Sequence, residues 1–263
     1  MFLAGTIYFF VFSPVFKIME IGISGNNLIS SNQIQAIAKN VLQRKFLNII
    51  PRDTVVALMN VEIRQELFNE FPEIATVEIK MEKIGSLSIA VSERKTAAIV
   101  CKILVITSLS PTPTLSVLAT STSAVAPEAF PESEGCFFVD EGGLAYRESP
   151  EISGTILPTF YSQDVQLRPR SQALDPSAIE FATQIKKKLR EIGVDLPGFI
   201  LNDEINQELK AFTSEGWLIY FDLTRSALTQ ARVLEILLKD EIKDKRATLQ
   251  YVDLRVADRV YYK

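Results

Sequence analysis

The sequence contains no histidine. That removes the commonest general base and the commonest metal ligand. Its only cysteines, Cys101 and Cys136, are too few and too far apart for a zinc set. No G-x-x-x-x-G-K phosphate loop and no G-x-S-x-G elbow occur. Basic charge is not in excess: 28 Lys and Arg stand against 32 Asp and Glu, for a net charge of −4. The one basic run, Lys186-Lys187-Lys188 and Arg190, alternates with Ile185 and Leu189 and reads as the wet face of a helix. Nucleic-acid binding leaves a basic footprint, so no nucleic-acid partner is expected. Ser92 to Lys95 has the Ser-x-x-Lys spacing of penicillin-binding enzymes. That chemistry needs a helix, whereas Ser92 closes a period-two stretch, and no Ser-Asp-Asn accompanies it. Asp140 and Glu141 are neighbours in a turn rather than an acid–base pair. The expectation is therefore a protein that is not an enzyme and uses no cofactor, metal or small-molecule substrate.

Charge is also missing from "MFLAGTIYFFVFSPVF", residues 1–16, which Lys17 ends. A helix that crosses the hydrocarbon of a bilayer needs ~20 apolar residues, with ~17 near the lower limit. The run reads as most of a transmembrane helix, with a buried core helix or strand as the alternative. It lacks the basic start and small-residue cleavage site of a signal peptide. No Lys or Arg precedes it, so the positive-inside rule does not orient it.

The stretch that follows is patterned. Met19, Ile21 and Ile23 alternate with polar residues and glycine, as in a strand. Gly25-Asn26-Asn27 is turn chemistry, and Ser30 or Ser31 can cap a helix carrying Ile34, Ile37, Ala38, Val41 and Leu42. A second helix is expected from a cap at Asp53 or Thr54, with Val56, Leu58, Met59, Ile63 and Leu67 inward and Pro72 just past its end. Residues 74–82 and 86–92 then alternate as two strands around a Lys83-Ile84-Gly85 turn. The order is β-α-α-β-β.

That order, with "IGISGNNLISSNQI", "FPEIATVEI" and "VSERKTAAIV", resembles the POTRA domain of the bacterial cell-division family FtsQ, also called DivIB. The resemblance continues through "GCFFVDEGGLAYRES", "GTILPTF" and "YVDLR", and covers nearly all of the chain. It implies an α+β protein with an N-terminal membrane helix at 1–16, a POTRA domain at 17–95, and a β-rich domain with two helices at 96–263. It also implies a single-pass protein of the cytoplasmic membrane at the division septum, with its bulk outside the cytoplasm. Its partners would be FtsB- and FtsL-like single-pass division proteins, with upstream division proteins at the POTRA domain. The alternative is a POTRA-bearing outer-membrane transporter or secretion component. That would need a closed barrel of at least ~8 strands of ~9–11 residues, and only about six short strands with two interleaved helices are legible after residue 95. A secreted wall hydrolase would need a nucleophile, metal or carboxylate pair that the sequence does not offer.

Within the second region, residues 103–135 are rich in Ser, Thr, Pro and Ala and read as a low-complexity insertion. Cys101 and Cys136 bracket it. If the flanking strands pair, the two sulfurs can face each other and bridge in oxidising surroundings; otherwise they are two small buried thiols. Hairpins are expected around Asp140–Gly143 and Ser214–Gly216. Helices are expected with Ile179, Ala182, Ile185, Leu189 and Ile192 inward, and with Leu228, Ala231, Leu234, Leu237 and Leu238 inward. Residues 249–263, "LQYVDLRVADRVYYK", read as a final strand with Val252, Leu254 and Val256 on one face and Tyr251, Asp253 and Arg255 on the other. An edge strand offers unpaired backbone groups to a partner's extended segment. The resemblance places the FtsB-like partner on this strand, at Tyr251, Val252, Asp253, Leu254, Arg255 and Val256, with Tyr251 and Arg255 as side-chain anchors.

Overall fold

Apolar and polar residues alternate through Glu20–Ser24, and in the computed structural model this stretch is a strand, β1. The structure describes residues 17–46, 50–51, 59–103, 133–150, 157–163, 167–201 and 207–263. The chain divides into two compact units, Met1–Lys95 and Thr96–Lys263.

In the first unit, β1 is followed by helix α1 (Ser31–Gln43), a small antiparallel pair β2 (Lys45–Phe46) and β3 (Ile50–Pro51), helix α2 (Met59–Glu70), and strands β4 (Ile74–Lys83) and β5 (Ser86–Glu93). The sheet order is β1-β5-β4, with β1 parallel and β4 antiparallel to β5. Ser30 caps α1, and Gln33 completes a capping box. The faces fit the spacing: Ile34, Ala38, Val41 and Leu42 of α1 and Ile63 and Leu67 of α2 are buried against Ile74, Val77, Leu87, Ile89 and Val91. The expected cap of α2 at Asp53 or Thr54, and its apolar Val56 and Leu58, lie outside the described residues. Gly25 has φ +81°, and a Cβ there would stand 2.1 Å from the Val91 carbonyl oxygen, so only glycine fits the turn.

The turn that Gly25 opens is closed from across the sheet. Glu93 Oε1 accepts the backbone N–H groups of Asn27, Leu28 and Ile29 at 2.8, 2.9 and 3.0 Å. Burial pushes the carboxyl up, but these hydrogen bonds outweigh it and hold Glu93 below its ordinary value.

The second unit holds β6 (Thr96–Ile103), β7 (Ser133–Asp140), β8 (Ala145–Ser149), β9 (Thr159–Ser162), α3 (Pro176–Glu191), β10 (Gly198–Leu201), β11 (Glu208–Phe212), β12 (Leu218–Asp222), α4 (Ala227–Ile236), β13 (Tyr251–Asp253) and β14 (Tyr261–Tyr262). All nine strands form one mixed sheet, in the order β14-β13-β12-β11-β10-β9-β6-β7-β8. Among the described residues the sheet stays open, since β14 and β8 pair on one side only. Both helices pack on one face. Ile179, Ala182, Ile185 and Leu189 of α3 and Ala231 and Leu234 of α4 share a core with Val100, Phe160, Phe199, Ile219 and Phe221. The opposite face carries a small cluster of Ile99, Cys101, Cys136 and Tyr161. Asp175 caps α3, and Pro176 stands in its first turn. Beyond α4 the helix widens into a π turn over Leu237–Ile242 and tightens into a 3₁₀ turn over Lys243–Thr248. Arg246 ties this segment down through the Gly193 carbonyl at 2.8 Å and the Glu215 carboxylate, which also accepts from Trp217 Nε1.

Several expectations are corrected. Among the described residues no helix is long and apolar enough to cross a membrane. The longest described helix, α3, has 16 residues with four charged side chains between Lys186 and Arg190. The N-terminal membrane helix, and the single-pass placement at the cytoplasmic membrane and septum that depended on it, are therefore not supported; residues 1–16 themselves lie outside the described residues. The α+β class stands, with four α-helices among the described residues and a mixed sheet larger than six strands. Lys186 is not on the wet face but buried, with Nζ donating to the Leu157 carbonyl at 3.3 Å. In α4, Leu228 points out at 50% exposure and Gln230 takes an inward place at 1%.

Candidate partner-binding site

The pattern of residues 249–263 predicts one long edge strand, and the structure builds something else. β13 covers only Tyr251–Asp253 and lies parallel to β12, with Leu218, Ile219 and Tyr220 opposite Tyr251, Val252 and Asp253. The chain then turns over Val256–Asp258 and comes back antiparallel as β14, placing Tyr262 beside Val252 and Tyr261 beside Asp253. So β13 is an interior strand, and β14 holds the edge expected to be open. Arg225 secures the turn, donating from Nη1 to the Leu254 carbonyl at 2.8 Å and from Nη2 to the Ala257 carbonyl at 3.5 Å.

The side chains divide by face as the alternation predicts. Val252 and Leu254 are buried in the core beneath the helices. Tyr251 and Asp253 lie on the other face, while Val256 is exposed in the turn. The named residues are thus neighbours along the chain without forming one surface.

What forms a surface is an aromatic and charged platform on the helix-free face, centred on Tyr220. Tyr251 meets the Tyr220 ring edge-on at 6.1 Å between centroids. The Arg255 guanidinium lies 5.0 Å from the centroid of that ring, and Lys210 Nζ 5.8 Å from it. Arg255 is fixed by Asp253, with Nε and Nη2 donating at 2.9 and 2.6 Å to the two carboxylate oxygens, and by Glu208 at 2.8 Å. Burial raises the Asp253 carboxyl, but the hydrogen bonds from Arg255 more than offset this and leave it below its ordinary value. The same contact with Asp253 raises Arg255 further, keeping it charged throughout. Two cations and two carboxylates balance, so the platform can stack and pair main chain but carries no net charge to attract a partner from afar.

Sequence reasoning missed Tyr220, Lys210 and Glu208. The signal was there: in "WLIYFD" the inward positions Ile219 and Phe221 leave Tyr220 facing out. The pairing registers extend this face into a single row across the sheet. Cys136, Cys101, Tyr161, Ile200, Lys210, Tyr220, Asp253 and Tyr261 stand opposite one another in turn.

Cys101 and Cys136 sit far along that row, with β12, β11, β10 and β9 between them and β13. They are directly opposed in β6 and β7, joined as a disulfide with Cα atoms 4.1 Å apart, and both buried. They close the base of the insertion and take no part in the platform. Residues 104–132 of that insertion lie outside the described residues. Neither a scan against protein-family models nor a search of curated proteins finds a match to this chain.

Proposed function

We propose that the chain is a non-catalytic scaffold of the FtsQ/DivIB type. It holds FtsB- and FtsL-type partners and links early and late division proteins to septal wall synthesis. Three features support this reading. The sequence resemblance runs through both units. The β-α-α-β-β order of the first unit, with its β1-β5-β4 sheet, fits the POTRA arrangement that the resemblance implies. The observation that carries the reading is the β13 end of the second sheet, where short main-chain-paired strands lie beside the Tyr220–Tyr251–Arg255 platform. Strand pairing there supplies affinity and the alternate side chains supply selectivity.

The test is direct binding of the full chain to purified FtsB- and FtsL-type proteins from the same genome, beside the Tyr251→Glu variant. Circular dichroism first establishes that both are folded. An aromatic anchor at an interface carries about 2 kcal/mol or more, so the variant is expected to bind roughly 30-fold more weakly. Equal binding removes the platform from the interface. Binding by neither protein removes the division reading altogether.

A further inference from the structure

Cys101 and Cys136 are the only cysteines in the chain, and the bond between them lies deep in a sheet that closes around it. We infer that this sheet fixes the redox state of the pair: the two sulfurs are joined by thiol–disulfide exchange while the second unit is still open, and once it has closed neither sulfur exchanges. Oxidation by a disulfide donor is therefore a maturation step that precedes closure, whatever partner the platform takes.

The seal is built from two directions. Within the sheet, β6 lies between β7 and β9, and β7 lies between β6 and β8. The registers put Tyr161 beside Cys101 and Ser149 beside Cys136, so each cysteine has a strand on both flanks. Over the helix-free face, Ile99 and Tyr161 share the buried cluster with the pair, and Ile103, Phe138 and Ile200 pack against it. Cys101 is 1% exposed and Cys136 3%. Cys136 borders a cavity of about 760 Å³ beside Lys102, Phe137 and Arg168, yet so small an exposure leaves no approach for an attacking sulfur.

The exchange itself is simple while the chain is open. One cysteine thiolate attacks the donor RS–SR, forming a mixed disulfide and releasing RS⁻. The second cysteine thiolate then attacks the protein sulfur of that mixed disulfide, closing Cys101–Cys136 and releasing the second RS⁻. The two protons lost by the cysteines end on two RSH, and the two electrons of the thiol pair reduce the donor. Topology allows this order. β6 and β7 meet across a 35-residue separation, whereas β9, which flanks Cys101, joins from farther along the chain. If closure comes first, both thiols are shut into an apolar cluster, where a buried thiol is inert. With no third cysteine, no internal thiol can reopen or reshuffle the bond. The folded chain thus keeps whichever state it closed in.

Two measurements on the full chain test this, both read by mass after alkylation of free thiols. In the first, dithiothreitol is added to the oxidised chain, either folded or held in urea. The folded chain is expected to keep its bond at least about 100-fold longer, and equal half-lives overturn the inference. In the second, reduced chain is diluted out of urea while emission from the buried Trp217 follows closure of the second unit. Oxidised glutathione is present from the start, or is added once that emission has settled. The late addition is expected to form the bond at least about tenfold more slowly. Equal rates also overturn the inference, since the closed sheet then leaves the thiols open to exchange. Emission that recovers only as the bond forms supports the same order, because closure then waits for oxidation.

Discussion

Glu93 does for the turn ahead of α1 what a cap does for a helix end: one carboxylate collects backbone N–H groups that no strand or helix satisfies. Three consecutive donors converge on Oε1 from a turn more than sixty residues away in sequence. Glu93→Gln keeps the shape and loses the charge. It should destabilise the first unit by about 1 kcal/mol, at the low end for a charged acceptor because the site is wet; urea unfolding followed by far-ultraviolet circular dichroism reads it. The sign with pH follows from the lowered carboxyl. Its contribution is complete above the ordinary value of 4.5 and is lost as pH falls through the lower, folded value. The Gln variant should therefore lack that part of the acid dependence. Gln230 is the counterpart in the second unit. It accepts the Asp222 N–H at 3.1 Å and donates to the Asp222 carbonyl at 2.8 Å, while almost fully buried. Gln230→Leu adds apolar surface to an apolar core, yet it should cost about 1–3 kcal/mol, because the Asp222 groups lose their partner. Equal urea midpoints by Trp217 fluorescence would refute this. Helical spacing alone favours Leu228 over Gln230, since spacing counts apolar residues and has no means of counting orphaned backbone groups.

At the level of elements, the strands and helices with strong alternation or clear caps were legible. Ser30 before α1, Asp175 with Pro176 before α3, and the hairpin turns at 140–143 and 213–217 all carry their own chemistry. The β13–β14 reversal was not legible. Val256-Ala257-Asp258 contains neither glycine nor proline, and the turn is held by Arg225 from thirty residues upstream, a contact invisible to local reading. Short strands such as β9 and β10 have the same difficulty, because four residues are too few to display a period. The disulfide depends on strand pairing, and the cysteines signal it only if that pairing is assumed. With 35 residues of separation, the bridge contributes about 4 kcal/mol in the chain-entropy model. The double variant Cys101→Ala, Cys136→Ala should lower the stability of the second unit by up to that amount and leave the first unit unchanged. Because β6 and β7 are fastened at the point where the chain leaves and re-enters the sheet, replacing 104–132 with a short glycine-rich turn should preserve the fold. Loop closure costs change slowly with length, so a circular dichroism melt should move little.

On the scale of the whole molecule, the change of unit falls between Lys95 and Thr96, and each unit closes a core of its own. The apolar run at 1–16 suggests a membrane helix by composition alone, but it lies outside the described residues, and no described helix is long and apolar enough to cross a membrane. What the sequence could not display is the row across the nine-stranded sheet, from the cysteine pair to Tyr261, since its members come from seven different strands before the last. Separate cores predict separate transitions, with domains of this size each expected to melt as a unit. The chain has a single tryptophan, and Trp217 is sealed inside the second unit. Its emission is therefore a private signal of Thr96–Lys263. A sample in which every molecule had lost the first unit would still glow like the intact protein, and a thermal curve recorded by fluorescence would assign the stability of one half to the whole.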